Sequence, residues 1–229
     1  MTSSPPSGWR RQLAQRVRYR PGRKGVVITL SISIFMAVYF ILLEHPRTTP
    51  RIVPLQALDR LIGFVPWAIV PYATLWVYIS IVPTFLLRTE IPRYVASVLL
   101  LAVLGCGVFF FWPTMVPPAG IDWSHWPLIA LIKSADAAGN ACPSLHVGYA
   151  VLTVIWLDAL LRNIRAPRTL RAMNGAWCVL IAWSTLATRQ HVALDVETGA
   201  LAGAATALVG LHAPAWFQRR RTGRACKTA

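Results

Sequence analysis

The sequence predicts an all-α integral-membrane bundle of about six transmembrane helices, and three observations predict it. Hydrophobic residues make up 55% of the 229-residue chain and charged residues only 14%, far from the balance of soluble domains. The apolar residues are gathered into long blocks instead of recurring at amphipathic spacing. Lysine and arginine fall in the gaps between those blocks, and mostly in alternate gaps.

A helix needs roughly 20 residues, about 17–25, to cross the hydrocarbon core. Six blocks reach or approach that length: 26–43, 61–87, 94–116, 145–161, 174–188 and 192–213. The first follows a 24-residue polar, basic stretch, and Glu44-His45-Pro46 stands where a cleavage site would need small residues, so a retained span is expected. Residues 1–24, rich in Pro, Ser and Arg, are expected to be disordered or to lie on the lipid surface. The second block contains Pro66, Pro71 and Pro83; each removes a backbone donor, which predicts a kinked or irregular segment. Between the third and fourth blocks, Trp123 and Trp126 precede an apolar run ending at Lys133. Tryptophan favours the membrane interface, so 121–133 reads either as a short interfacial helix or as an aromatic-anchored loop. The fifth block is short and must recruit flanking residues such as Arg171 to Met173. The sixth is rich in small residues and holds Gly199 and Gly203 in G-x-x-x-G spacing, which lets two helices approach closely. With no internal repeat, this reads as one membrane domain, 26–213, between basic tails 1–25 and 214–229.

The net charge of +15 is also the footprint of nucleic-acid binding, but its placement argues otherwise. With six spans both termini face one side, and that side collects eighteen of the Lys and Arg residues against five opposite. This bias places both termini in the cytoplasm, in the manner of a bacterial inner (plasma) membrane protein. The charge then reads as topology and contact with anionic headgroups, with no nucleic-acid partner. The four cysteines have neither disulfide nor metal-ligand spacing. Cys106 and Cys178 fall within spans and serve packing. Cys142 reads as a small filler, and Lys227-Thr228 spoil a prenylation box at Cys226.

Two short stretches carry the chemistry, Pro143-Ser144-Leu145-His146 and Arg189-Gln190-His191-Val192-Ala193-Leu194-Asp195. If the second is helical, His191 and Asp195 lie one turn apart on one face, close enough for the carboxylate to hold the imidazole. His146 opens the fourth span and His191 lies between the fifth and sixth. Both therefore fall on the non-cytoplasmic face although 45 residues separate them. Each stretch opens a helix, whose unpaired N–H groups suit a phosphate. Pro143 suits the first turn, and Ser144 offers its hydroxyl or amide to an anion. The expected roles follow. His191 attacks phosphorus, Asp195 orients its ring, and His146 gives a proton to the departing oxygen; Ser144, Arg189 and Lys133 hold the phosphate. His45, His125 and His212 read as capping or interfacial groups. Asp158 pairs with Arg162 four residues on, and Glu197 has no assigned role. No third histidine or cysteine completes a zinc site, and phosphohistidine chemistry needs no metal or cofactor. A non-enzymatic carrier or assembly factor that binds an anionic lipid is the alternative class.

These residues resemble the type 2 phosphatidic acid phosphatase superfamily, and more closely its inositol phosphorylceramide synthase-like branch. Pro143-Ser144-Leu145-His146 is similar to the second motif of the superfamily. Ser184 through His191, followed by Asp195 and Gly199, is similar to the third motif of the branch. The stretch from Asp59 to Tyr72, with Phe64-Val65-Pro66 and Pro71-Tyr72, is similar to an early span of the branch. The resemblance implies a six-helix bundle, His191 as nucleophile held by Asp195, His146 as acid, and a lipid-phosphate or phospholipid substrate. It leaves open hydrolysis or transfer of a phospho-alcohol such as phosphoinositol between lipids. Three positions depart from the pattern. Pro118-Ala119 stands where an Arg-Pro is expected, Thr185 replaces the arginine six before the nucleophile, and Val192 replaces a tyrosine. Arg189 and Lys133 are the expected compensations.

Overall fold

A computed structural model describes residues 8–136 and 139–212; the basic tail 214–229, with Cys226, and residue 213 lie outside the described residues. The chain is an all-α bundle in which five helical segments are long and apolar enough to cross a membrane. α1 (Trp9–Arg18) precedes α2 (Pro21–Glu44). Next come β1 (Arg51–Ile52), α3 (Ala57–Leu61), a 3-10 turn at Pro66–Ala68, α4 (Ile69–Ala73) and α5 (Leu75–Phe85). α6 (Ile91–Phe111), β2 (Thr114–Met115), a 3-10 turn at Trp123–His125 and α7 (Pro127–Asp136) lead to the last three helices. These are α8 (Leu145–Asn163), α9 (Arg168–Ala187) and α10 (Ala193–His212).

The prolines act as the sequence requires. The second block starts at Pro66 and breaks between α4 and α5, where the Thr74 amide is shared by the Val70 and Pro71 carbonyls, both at 3.2 Å. The Thr74 hydroxyl also donates to Pro71 O at 2.6 Å. The stretch 121–133 resolves in favour of a helix over its second half, α7, whose Ile129 is buried while Leu128 and Leu131 are exposed. The fifth element extends back to Arg168, gaining the length that its apolar core lacks. Arg168, Arg171 and Asn174 keep α9 below the apolar density of the other five segments.

Part of the N-terminal stretch is helical, against the disorder that was one of its two expected states. Residues 9–18 form α1, whose Arg16 is 7% exposed and grips Glu90 with two bonds of 2.7 and 3.1 Å. Arg16 also donates to Phe85 O, and Lys24 caps the Arg16 and Thr84 carbonyls. A bidentate pair at the ends of α5 and α6 therefore fixes a helix that composition alone left free.

α8 is the centre of the bundle, flanked by α5, α6, α9 and α10. Its closest neighbour is α10, and the reason is the predicted glycine spacing. A Cβ on Gly199 would overlap the Ser144 carbonyl, and one on Gly203 would overlap that of Gly148. Only hydrogen lets the two backbones meet, and this contact sets the end of α8 that carries His146 against the start of α10. The two-residue strands pair in parallel, Arg51 with Thr114 and Ile52 with Met115, and tie the connections beside that end together.

Candidate active site

Three segments converge where α9 ends and α8 and α10 begin. α9 stops in a tight turn in which Arg189 adopts a left-handed backbone, φ 58°. The Gln190 and His191 amides both donate to Thr185 O, at 3.0 and 3.1 Å. Thr185 stands where the family pattern has an arginine; here it is fully buried and anchors the turn that presents His191.

His191 lies two residues ahead of α10, so its contact with Asp195 does not run along a helix as the spacing implied. Asp195 folds back instead. Its Oδ2 accepts the Val192 amide at 3.1 Å and faces His191 Nδ1 at 3.4 Å. The carboxylate is completely buried, His191 is 8% exposed, and the 3.4 Å separation is at the long end for such a bond. Active-site bonds of this length are common before substrate binds.

Ser144 caps α8 by accepting the Val147 amide, and its own amide donates to Asp195 O at 2.9 Å. Pro143 precedes this cap, outside the first turn, after a cis bond from Cys142. His146 follows in the first turn of α8. Its ring lies flat on Tyr72, centroids 4.1 Å apart at 19°, and hydrogen-bonds the Tyr72 backbone. Its Nε2 is buried with no partner, and the Ser144–Asp195 backbone bond sets this turn beside the one that carries His191.

The expected phosphate cradle at the helix N-termini is largely occupied by the protein itself. Asp195 takes the Val192 amide, Asp59 Oδ1 takes the Ala193 amide at 2.7 Å, and the Ser144 hydroxyl takes Val147. Any phosphate must rely more on side chains than the motifs implied. Lys133 and Arg189 do come together: Lys133 Nζ donates to Arg189 O at 2.5 Å and lies over the Trp123 ring. Arg189 Nη1 donates to Asp59 O at 2.9 Å.

Sequence reasoning gave no role to three residues of this neighbourhood. Asp59 forms a capping box, accepting the Gln56 amide with Oδ2 while Oδ1 holds Ala193; the Gln-x-x-Asp spacing was the available signal. Tyr72 supplies the face under His146; the Pro71-Tyr72 pair marks the stretch in the sequence but not this contact. Gln190 is 4% exposed and its Nε2 has no partner. Glu197 is exposed, away from the cluster. Cys142 bonds Thr198 at 3.3 Å, and burial pushes its thiol pKa up, against the thiolate a reactive cysteine needs. Val192 is sealed among Val53, Val116 and Ala141. Among the described residues no three His, Cys, Asp or Glu side chains group as metal ligands.

Fold and site together define an all-α membrane bundle with two histidines and a buried carboxylate gathered at one end. The chain matches the PAP2 superfamily over residues 93–219 and belongs to it. That superfamily comprises phosphoesterases and phosphotransferases. Neither a curated protein nor a solved structure matches the chain. Asp59, which bonds Arg189 and Ala193 on either side of His191, and Tyr72, which stacks on His146, lie outside the matched residues.

Proposed function

We propose that the protein is a lipid-phosphate phosphatase or phosphotransferase working through a phosphohistidine at His191. The observation that carries this reading is the buried Asp195 carboxylate facing His191 Nδ1 at 3.4 Å, with the unpartnered Nε2 of His146 nearby. With Nδ1 held, His191 Nε2 is the nitrogen left to attack. The Nε2–P bond forms as the bond from phosphorus to the lipid oxygen breaks, and that oxygen takes a proton from His146. Water or an alcohol then attacks phosphorus, returns its proton to His146 and releases the nucleophile. Asp195 stabilises the charge that develops on the His191 ring, while Arg189, Lys133 and Ser144 are the groups proposed to steady the phosphoryl oxygens.

A lipid substrate is supported by an apolar groove of about 500 Å³ between α4 and α7, walled by Trp67, Ile69, Leu128 and Ile129. Ile69 and Ile129 pack with Tyr72, the residue under His146. The likeness of Asp59 to Tyr72 and Ser184 to Gly199 to the inositol phosphorylceramide synthase-like branch accommodates either water or an alcohol as the acceptor of the phosphoryl group. The charge asymmetry supports cytoplasmic termini, hence a site on the opposite, non-cytoplasmic face of a bacterial inner membrane.

Purified protein incubated with ³²P-labelled lipid phosphate, with and without alcohol acceptors, tests the reading. Acid-labile label on the wild type, absent from His191→Ala, is the expected result. Lipid binding with neither label nor product across a lipid panel would instead establish a carrier.

A further inference from the structure

A second polar cluster lies at the other end of the bundle from His191. α8 carries His146 in its first turn and Asp158 twelve residues later, about 18 Å along the helix at 1.5 Å per residue. Asp158 sits between two guanidinium groups, Arg162 Nε at 2.7 Å and Arg171 Nε at 2.6 Å. The first pair is the one the sequence implied; the second guanidinium comes from α9. Two cations against one carboxylate leave a positive charge over. Arg162 reaches Asp158 through Nε and stays 64% exposed, so its outer N–H groups are available.

This cluster heads a cavity of about 460 Å³ between α8, α9 and α10. Val154 and Ile155 line it one turn deeper than Asp158, and Leu208 and Leu211 supply the α10 wall. The deep polar group, Asn174, is already satisfied by Val154 O and the Tyr78 hydroxyl. Gly175 keeps the space open, since a Cβ there would meet nothing within 4 Å. A free anion would match the arginines but leave the apolar walls uncovered, and an apolar molecule would leave the excess charge unmatched. An amphiphile with an anionic head satisfies both, as basic pockets between membrane helices do.

We propose that this cavity is a binding site for an anionic phospholipid, its phosphate on Arg162 and Arg171 and a hydrocarbon chain along Val154, Leu208 and Leu211. A lipid seated there clasps α8, α9 and α10, the three helices whose opposite ends carry His146, Thr185 and Asp195. Occupancy thus ties the packing under the candidate active site to the lipid composition of the far leaflet.

The test uses the full chain in detergent, with phosphatidylglycerol, phosphatidylcholine of the same chains, and soluble glycerol phosphate as probes. Retained lipid is counted by native mass spectrometry, and the thermal midpoint is followed in parallel. Wild type should retain phosphatidylglycerol about tenfold better than phosphatidylcholine, the ratio expected for about 1.4 kcal/mol. Arg162→Ala should erase that preference, and Arg23→Ala, an exposed cation on α2, should not. Gly175→Leu puts its side chain into the cavity, where the first added carbon meets nothing within 4 Å, and should abolish retention while leaving the lipid-free midpoint unchanged. If Gly175→Leu fails to fold, Leu208→Trp fills the same space from the exposed wall. Equal retention of the two lipids, equal losses in Arg162→Ala and Arg23→Ala, or unchanged retention in the filled variant would overturn the proposal. So would a full thermal shift from glycerol phosphate alone, which would mark an ion site instead.

Discussion

The Asp59 carboxylate accepts the Ala193 amide at 2.7 Å, joining residues 134 positions apart. The Asp59 carbonyl accepts Arg189 Nη1 at 2.9 Å. One residue of α3 thus holds the chain on both sides of His191, two residues before it and two after. The candidate nucleophile stands on a turn whose ends are pinned by a segment from the other half of the chain.

That bracket predicts a positioning role. Asp59→Ala strands the buried Ala193 amide, costing about 1–3 kcal/mol, and leaves the half-buried Gln56 amide to water. Asp59→Asn keeps an acceptor for Ala193 and should recover most of the loss. Misplacing the nucleophile by about 1 Å costs roughly 10²-fold in rate, so kcat should fall in Asp59→Ala while KM stays within a few-fold. Phosphoenzyme burst amplitude counts folded sites. A reduced burst with normal rate per site would show that Asp59 serves folding alone.

The two histidines should separate by leaving group. His191→Ala removes the covalent route and should abolish turnover of every substrate. His146→Ala should be severe for a lipid alcohol and mild for an activated aryl phosphate, whose oxygen leaves without a proton, recovering roughly 10²–10⁴-fold. Equal rescue of both variants would sink the division of roles. Vanadate should inhibit, and chelators should leave the rate unchanged; activity lost to a chelator and restored by zinc would require a metal.

Asp195→Asn keeps the size of the side chain and removes its charge. The Val192 amide can still be accepted, so the turn should persist while the His191 ring loses its counter-charge. Turnover should drop, by up to about 10⁴-fold, with substrate binding retained. A matching loss of binding in equilibrium measurements would place Asp195 in the substrate site instead.

Gly199 and Gly203 make a prediction about folding. Leucine at either position drives a side chain into the backbone of α8, beyond the roughly 1–3 kcal/mol that ordinary overpacking costs. Both variants should give little folded protein, and alanine should already lower the thermal midpoint. Gly107, where a Cβ meets nothing within 4 Å, serves as the control and should accept leucine.

Topology can be read with a membrane-impermeant thiol probe on intact cells, in a cysteine-free background. Asp122 and Asn163 are both exposed in the fold. Cysteine at Asp122 should label and cysteine at Asn163 should not. The reverse pattern would put the site in the cytoplasm.

The sequence by itself marked out the long helices and their order, although α9 falls short of the apolar density of the other five segments. Those properties follow from lengths of apolar chain, which need no knowledge of packing. It also announced that α10 packs closely on a neighbour, because glycine four residues from glycine is a local pattern with a direct steric consequence; that the neighbour is α8 came from the fold. Tertiary structure alone decided the rest. The His191–Asp195 contact arises from a carboxylate folding back over a helix start, a geometry that i,i+4 spacing shares with a helix face. The helix N-termini that looked open to phosphate are taken by Asp59, Asp195 and Ser144, because a buried amide binds the nearest acceptor, wherever the chain supplies it. The Arg16–Glu90 pair and the Tyr72–His146 stack were invisible for the same reason. A buried ion pair and a stacked ring are relations between distant segments, and no window of sequence contains both partners.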